Sequence, residues 1–179
     1  MALPVYSFAT TARHGKLTNM LYYSYLSQYN DDYLFKTHYP FGENTALAYE
    51  GTRKVPSLIS LIDAKEHAVF PEKDFSTVEP DFMLFRENKF LLNKRETRVL
   101  GKPDLIIEVW SEGNDDNEIG FKHKLYSTSL ETEHWYILQD SNIVDCYIGE
   151  EQIKSQSLTK PLISSRNLVF DLTRLALEE

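Results

Sequence analysis

The chain contains few of the residues that crosslink a protein or interrupt its regular structure. Among its 179 residues there are one cysteine, Cys146, seven glycines and seven prolines. A single cysteine excludes an internal disulfide and suits a reducing cytoplasm, which is where we expect the protein to work. The low glycine and proline contents exclude collagen-like sequence and leave little room for long linkers. Because this length is typical of one domain, we expect residues 1–179 to form a single domain.

Long hydrophobic runs are missing as well. No apolar stretch approaches the roughly 20 residues that cross a bilayer, and the first residues lack the basic and apolar regions of a signal peptide. We therefore expect no membrane association. The sequence also lacks the patterns GxGxxG, GxxxxGK(S/T), GxSxG and HExxH. Its histidines, which show no zinc-like spacing, are His14, His38, His67, His123 and His134.

Positive charge is scarce and lies mainly before residue 103. The sequence has 19 Lys+Arg against 27 Asp+Glu, a formal net charge of −8, which argues against a protein that coats nucleic acid through a basic surface. Residues 1–102 hold 13 basic and 12 acidic residues, whereas residues 103–179 hold 6 and 15. Within the first part, residues 82–102 carry six bases against two acids. This basic segment supplies our candidates for phosphate contacts, which are Arg86, Lys89, Lys94, Arg95 and Arg98.

The hydrophobic pattern predicts a mixed α/β layer fold. Two helices are predicted, at residues 14–29 and 117–130. Predicted strands lie at 33–39, 45–50, 56–63, 81–85 and 104–110, and a predicted hairpin joins 133–138 to 143–148. The final segment, residues 167–176, is predicted to form a last strand or a short helix.

One predicted strand, PDLIIEVW, carries acidic residues within an apolar run. Its alternation places Asp104, Glu108 and Trp110 on one face. A carboxylate inside such a strand is costly unless it is paired or bound to a metal. Asp104 and Glu108 are about 13 Å apart along a straight strand, so they cannot share one ion. Glu108 therefore needs an acidic partner from another element.

The best partner is Asp81, which begins the predicted strand EPDFMLF. Neighbouring strands lie about 4.8 Å apart, so Asp81 and Glu108 would converge on one cation if the register suits. The alternative is that each Pro-Asp pair merely begins a strand through ordinary turn chemistry.

A lysine interrupts the apolar face of the second predicted helix. At about 100° per residue, Ile119, Lys122 and Tyr126 share one face, and Lys124 lies nearly opposite. Near two carboxylates and a cation, Lys122 would orient a water molecule and stabilise developing negative charge. The alternative is a lysine whose stem lies along the surface with its charge in water.

These motifs together resemble the bacterial Uma family of restriction-endonuclease-like proteins, a branch of the PD-(D/E)XK nuclease superfamily. The family pattern is Pro-Asp, a strand of the form PDLxxEVxS, KxxxY on a helix, and then EYW. The corresponding residues here are Pro80-Asp81, 103–111, Lys122 with Tyr126, and Glu133-His134-Trp135. The resemblance covers residues from about 75 to 179. Before residue 75 it extends only to the helix led by His14, and the family's glutamate ahead of that helix is not found.

The resemblance implies a restriction-endonuclease-like α/β core with a mixed central sheet flanked by helices. It also implies a metal-dependent DNA endonuclease in which Asp81 and Glu108 bind Mg²⁺ or Mn²⁺ and Lys122 assists the attacking water. Asp104 and Tyr126 are secondary candidates for the site. Trp110 occupies the position where the superfamily usually carries its lysine, which fits a lysine moved to the helix.

Two other functions compete with a nuclease. A pair of carboxylates can serve a glycosidase, although the lysine and the doubled Pro-Asp strands favour the nuclease. The protein can also be a catalytically inactive nuclease-fold module that binds or regulates a partner as a dimer. In either nuclease-fold case we expect a homodimer. For the enzyme we expect weak DNA binding through a local basic patch.

Overall fold

A computed structural model describes residues 12–28, 38–42, 45–50, 75–86, 90–92, 98–111 and 113–178. Its largest element is a six-stranded sheet with the strand order β1-β4-β7-β8-β9-β10. These strands are β1 (His38–Gly42), β4 (Phe82–Arg86), β7 (Leu105–Trp110), β8 (Glu133–Leu138), β9 (Ile143–Ile148) and β10 (Glu151–Ser157). The sheet is mixed, because β7 and β8 run parallel and every other neighbouring pair is antiparallel.

A second, four-stranded sheet has the order β3-β2-β6-β5. It consists of β2 (Ala46–Glu50), β3 (Phe75–Val78), β5 (Phe90–Leu92) and β6 (Arg98–Gly101). A short antiparallel pair follows near the end of the chain, formed by β11 (Leu162–Ile163) and β12 (Val169–Phe170). A turn of 3₁₀-helix, Thr173–Leu175, comes after β12, so the segment predicted as a strand or a short helix contains both.

The helices cover opposite faces of the six-stranded sheet. Helix α1 (Ala12–Gln28) buries Leu17, Leu21 and Tyr25 in one core, together with Leu105 and Ile107 of β7. The predicted helical spacing is thus confirmed, since residues at i, i+4 and i+8 face the same core.

The opposite face is covered by helix α2 (Asp116–Lys124), which continues into a π-helical turn, Leu125–Ser129. Leu125 and Tyr126 pack there against Met83 and Ile106. The alternation predicted for β4 and β7 is therefore confirmed, because Phe82 and Leu84 enter the first core and Met83 enters the second.

The sequence locates some of these elements better than others. The predicted hairpin strands coincide with β8 and β9, and the mixed α/β class is confirmed. Most of the predicted strand 33–39 and all of 56–63 lie outside the described residues. Strand β10 was not predicted, because its sequence EQIKSQS lacks apolar alternation. Within the described part of the chain, none of the helices is long and apolar enough to span a membrane.

Candidate active site

Strand register brings Asp81 to Glu108. The antiparallel pairing of β4 with β7 places Phe82 opposite Ile107 and Met83 opposite Ile106. Extending that register by one residue places Asp81 opposite Glu108. The Asp81 Oδ2 atom accepts a hydrogen bond of 2.7 Å from the backbone N–H of Val109, which fixes the carboxylate beside β7. The two carboxylates proposed from sequence are thus neighbours across adjacent strands.

Glu108 is a buried carboxylate with two hydrogen-bond donors from the chain itself. Its side chain is 2% exposed, its Oε1 accepts a 2.6 Å hydrogen bond from the Tyr126 hydroxyl, and its Oε2 lies 3.1 Å from Lys122 Nζ. Burial raises the pKa of Glu108 to about 7, even though Lys122 and Tyr126 both act to lower it. The carboxylate therefore takes up a proton far more readily than an exposed glutamate.

Lys122 points into the site and Lys124 does not. Besides Glu108, the Lys122 ammonium donates to the Glu79 carbonyl at 3.3 Å and lies 3.4 Å from Glu118. Burial alone would lower the pKa of Lys122, but the charge of Glu108 and the hydrogen bond to it raise that pKa overall. Lys122 is therefore a fixed positive charge at neutral pH. Lys124 is exposed, as the helical spacing predicts.

Tyr126 is positioned by the π-helical turn that follows α2. The wider turn is closed by the Leu130 N–H bonding to the Leu125 carbonyl at 3.0 Å, five residues back. Tyr126 is fully buried, and burial raises the pKa of its hydroxyl well above the ordinary value. The hydroxyl therefore keeps its proton and acts as a permanent donor to Glu108.

His14 reaches the same site from the other side of the sheet. Its Nε2 atom lies 3.2 Å from Asp81 Oδ1, and both side chains are mostly buried. The sequence reasoning did not single out this histidine as a site residue. A signal was present, because His14 is spaced i, i+3 and i+7 from Leu17 and Leu21, which places it on the helix face that packs on the sheet.

Asp104 is not brought to the site. It lies at the opposite end of β7, where its carboxylate forms an ion pair with Arg166 and its N–H donates to the Leu84 carbonyl at 2.7 Å. The separation along the strand that excludes a shared ion thus also separates Asp104 from Lys122 and Tyr126.

The structure describes little of the predicted phosphate-binding segment. Lys89, Lys94 and Arg95 lie outside the described residues, and only the backbone of Arg86 is described, at the end of β4. Arg98 begins β6 in the four-stranded sheet and is partly buried. A basic patch formed by this segment therefore stays a prediction.

An aromatic cluster lies beside Glu108 on the same sheet face. Tyr136 of β8 is in register with Glu108, and its hydroxyl shares a 3.0 Å hydrogen bond with His123 Nδ1. The ring of Trp110 stacks on Tyr136, with centroids 3.8 Å apart and planes inclined by 21°. His134 is buried in the same cluster, where its Nδ1–H donates to the Thr132 carbonyl at 2.9 Å.

The donor set at this site suits a hard cation. Carboxylate oxygens are the ligands that Mg²⁺ prefers, and Mg²⁺ usually binds through one or two carboxylates while keeping several waters. Asp81 and Glu108 supply two. Among the described residues no group of three or more His, Cys, Asp or Glu side chains is arranged to hold a metal. The residues therefore fit a hydrated Mg²⁺ or Mn²⁺ better than a fully protein-enclosed ion.

The fold is of the mixed α/β class, with a mixed central sheet flanked by helices. Among solved structures, the chain is similar to a "putative nuclease belonging to DUF820" from Anabaena variabilis ATCC 29413. The identity is 14%, the TM-score is 0.54, and the match covers 99% of this chain and 87% of that chain. No family model and no curated protein matches the sequence. At this identity the likeness establishes the fold alone.

Proposed function

We propose that this protein is a metal-dependent DNA endonuclease with a site of the PD-(D/E)XK type, related to the Uma family. The main observation behind this proposal is that two carboxylates and one lysine from three separate parts of the chain lie close together. Asp81 directly precedes β4, and Glu108 lies in the middle of β7. Lys122 lies on α2, and its Nζ atom is 3.1 Å from the Glu108 carboxylate. Burying two acids and one lysine together lowers the stability of the fold, so their grouping calls for a functional explanation.

Each of these residues has a separate task in phosphodiester hydrolysis. Asp81 and Glu108 would hold Mg²⁺ or Mn²⁺, which supplies positive charge against the charge that develops on the phosphate. The Lys122 ammonium is held by the Glu79 carbonyl and by Glu108, so it is pre-positioned to hydrogen-bond a water molecule or a phosphate oxygen. Tyr126 orients Glu108 through its 2.6 Å hydrogen bond.

The net charge bears on how such an enzyme would meet DNA. At −8 the protein has little long-range attraction for phosphates, so we propose weak binding, with any basic patch acting locally. A homodimer with two copies of the site would cut both strands of a duplex. The cytoplasm remains our proposed compartment.

Cleavage of supercoiled plasmid DNA in Mg²⁺ or Mn²⁺ tests the proposal. Asp81→Asn keeps an acceptor for the Val109 N–H and Glu108→Gln keeps the shape of the side chain, yet both should abolish nicking. Lys122→Ala should also abolish it. Lys124→Ala, two residues away on the exposed side of the same helix, is the matched control and should retain activity. Equal losses in Lys122→Ala and Lys124→Ala would contradict the assignment of the lysine.

One observation favours the alternative, a non-catalytic dimeric binding or regulatory module. Both oxygens of Glu108 are already engaged by Tyr126 and Lys122, and among the described residues no group of three or more His, Cys, Asp or Glu side chains is arranged to hold a metal. Manganese titration followed by electron paramagnetic resonance separates the two functions. Binding that Asp81→Asn and Glu108→Gln abolish supports the enzyme. No site-dependent binding, together with no nicking, supports the module.

A further inference from the structure

We propose that Trp110 is a stacking platform for an unpaired nucleobase, and that the site therefore prefers DNA with an unpaired nucleotide beside the scissile phosphate. This inference rests on the proposed function, because it assigns a substrate class to the same site. Trp110 ends β7, two residues after Glu108. Side chains two apart on a strand share a face, and their Cα atoms are roughly 6.6 Å apart.

The indole is held in one orientation by the residues beneath it. Trp110 is partly exposed, and it stacks on Tyr136 with ring centroids 3.8 Å apart. Tyr136 is itself buried and tied to His123 by a 3.0 Å hydrogen bond. The end of β7 is fixed as well, since the Trp110 carbonyl accepts a 2.8 Å hydrogen bond from the Gln139 N–H. A ring fixed in this way loses little entropy when a base stacks on it.

Exposed apolar side chains lie beside Trp110 on the neighbouring strands β8 and β9. In the parallel register of β7 with β8, Trp110 lies opposite Leu138, which is 37% exposed. Continuing the register of β8 with β9 by one residue brings Ile143, 49% exposed, beside Leu138. The flat faces of nucleobases suit such an exposed apolar surface.

Electrostatics favours base stacking over phosphate contacts as the source of affinity here. The residues that follow Trp110 include Asp115, Asp116 and Glu118, and the only base between residues 103 and 123 is Lys122. Apart from Arg13, whose Nε donates to the Gln139 carbonyl beside the end of β7, this part of the chain offers little attraction to a run of phosphates. Stacking of a base on an aromatic ring contributes about 1–3 kcal/mol and needs no positive charge. Since bases inside a duplex are already stacked on their neighbours, the platform selects nucleotides that are unpaired.

Binding and cleavage of matched oligonucleotides test this inference. The probes are a 20-nucleotide single strand, its blunt duplex, and the same duplex with a three-nucleotide bulge. With Glu108→Gln protein, which prevents turnover, we expect the single strand and the bulge to bind on the order of tenfold more tightly than the duplex. Tryptophan fluorescence should be quenched on binding, because Trp110 is partly exposed whereas Trp135 is fully buried.

Three variants separate stacking from general packing. Trp110→Ala should weaken single-strand binding on the order of tenfold and leave duplex binding unchanged, and Trp110→Phe should restore most of the loss. Phe121→Ala is the matched control, since Phe121 is an exposed aromatic residue, 48% exposed, on α2. It should bind all three probes as the parent does. We also expect a shallow salt dependence of binding, corresponding to one or two phosphate contacts.

The outcomes distinguish this inference from the proposed function. Equal affinity for duplex and single strand, no quenching, or equal losses in Trp110→Ala and Phe121→Ala would overturn the stacking platform. If cleavage depends on Asp81 and Glu108 but is unchanged by Trp110→Ala, the proposed nuclease function is supported and the stacking platform is refuted. If Trp110→Ala weakens binding of unpaired DNA but no metal supports cleavage, the stacking platform is supported as part of a binding module and the proposed nuclease function is refuted.

Discussion

Protonation of the buried His134 is expected to weaken the fold in mild acid. The side chain is 0% exposed, its Nδ1–H donates to the Thr132 carbonyl, and its Nε2 has no hydrogen-bond partner among the described residues. Burial lowers the pKa of His134 from 6.5 to about 4. Between these two pH values the unfolded chain binds the proton and the folded chain does not. The stability contributed by neutral His134 is therefore complete above pH 6.5 and is lost as the pH falls towards 4.

The size of this loss follows from the shift in pKa. A difference of about 2.5 pKa units corresponds to about 3 kcal/mol, of which about 2.5 kcal/mol is lost between pH 7.5 and pH 4.5. Glu108 acts in the opposite direction, because burial raises its pKa from 4.5 to about 7 and acidification then favours the folded state. The two contributions nearly cancel, so the wild-type profile alone reports neither.

A comparison with His134→Asn isolates the histidine. Asparagine keeps a donor for the Thr132 carbonyl but cannot be protonated in this range, and the cavity it leaves costs the same at every pH. Urea denaturation at half-unit intervals gives the free energy of unfolding of each protein from pH 7.5 to 4.5. The stability of wild type minus that of the variant should fall by about 2.5 kcal/mol across this range. Parallel profiles would refute the assignment of a depressed pKa to His134.

Three further predictions concern groups in and around the site. Tyr126→Phe should lower the free energy of unfolding by about 1.5–3 kcal/mol, because it removes a buried hydrogen bond to a carboxylate. The same substitution should raise the pKa of Glu108 further, which the carboxyl ¹³C chemical shift measures. Asp104→Asn should leave DNA cleavage unchanged. It should lower the free energy of unfolding, measured by urea denaturation, by at most about 1 kcal/mol, because its partner Arg166 is exposed. A loss of nicking would place Asp104 in the site. Cys146 should react with a thiol reagent at pH 8 only when the chain is unfolded, because burial raises the pKa of its thiol to about 11; rapid reaction in native buffer would contradict this.

Local patterns in the sequence predict the parts of the site that lie within single elements. The alternation of PDLIIEVW identifies Glu108 as an acid in a buried strand, and the 100° helical spacing separates Lys122 from Lys124. Both predictions depend on residues that are close along the chain. The hairpin strands β8 and β9 are predictable for the same reason, since a short turn joins two apolar runs.

Features that depend on distant segments are not predictable in this way. The register that sets Asp81 opposite Glu108 depends on how β4 and β7 slide past each other, and a shift of one residue would turn Asp81 to the other face. The contact between His14 and Asp81 joins the first described helix to a strand more than sixty residues later. The π-helical turn that directs Tyr126 at Glu108 is a rare geometry with no established sequence signal.

The cost of keeping Glu108 where it is argues that folding alone does not explain its presence. Ile106, which lies two residues before Glu108 on the same face of β7, is apolar and 0% exposed, so an apolar residue at position 108 would extend that face without a charge. The raised pKa means that the ionised form of Glu108 is disfavoured by burial, even with Lys122 and Tyr126 beside it. Replacing buried ionic groups by apolar ones is often neutral or stabilising. A carboxylate buried at such a cost, with a second carboxylate beside it on the neighbouring strand, supports the proposal that the site between β4 and β7 serves a function beyond folding.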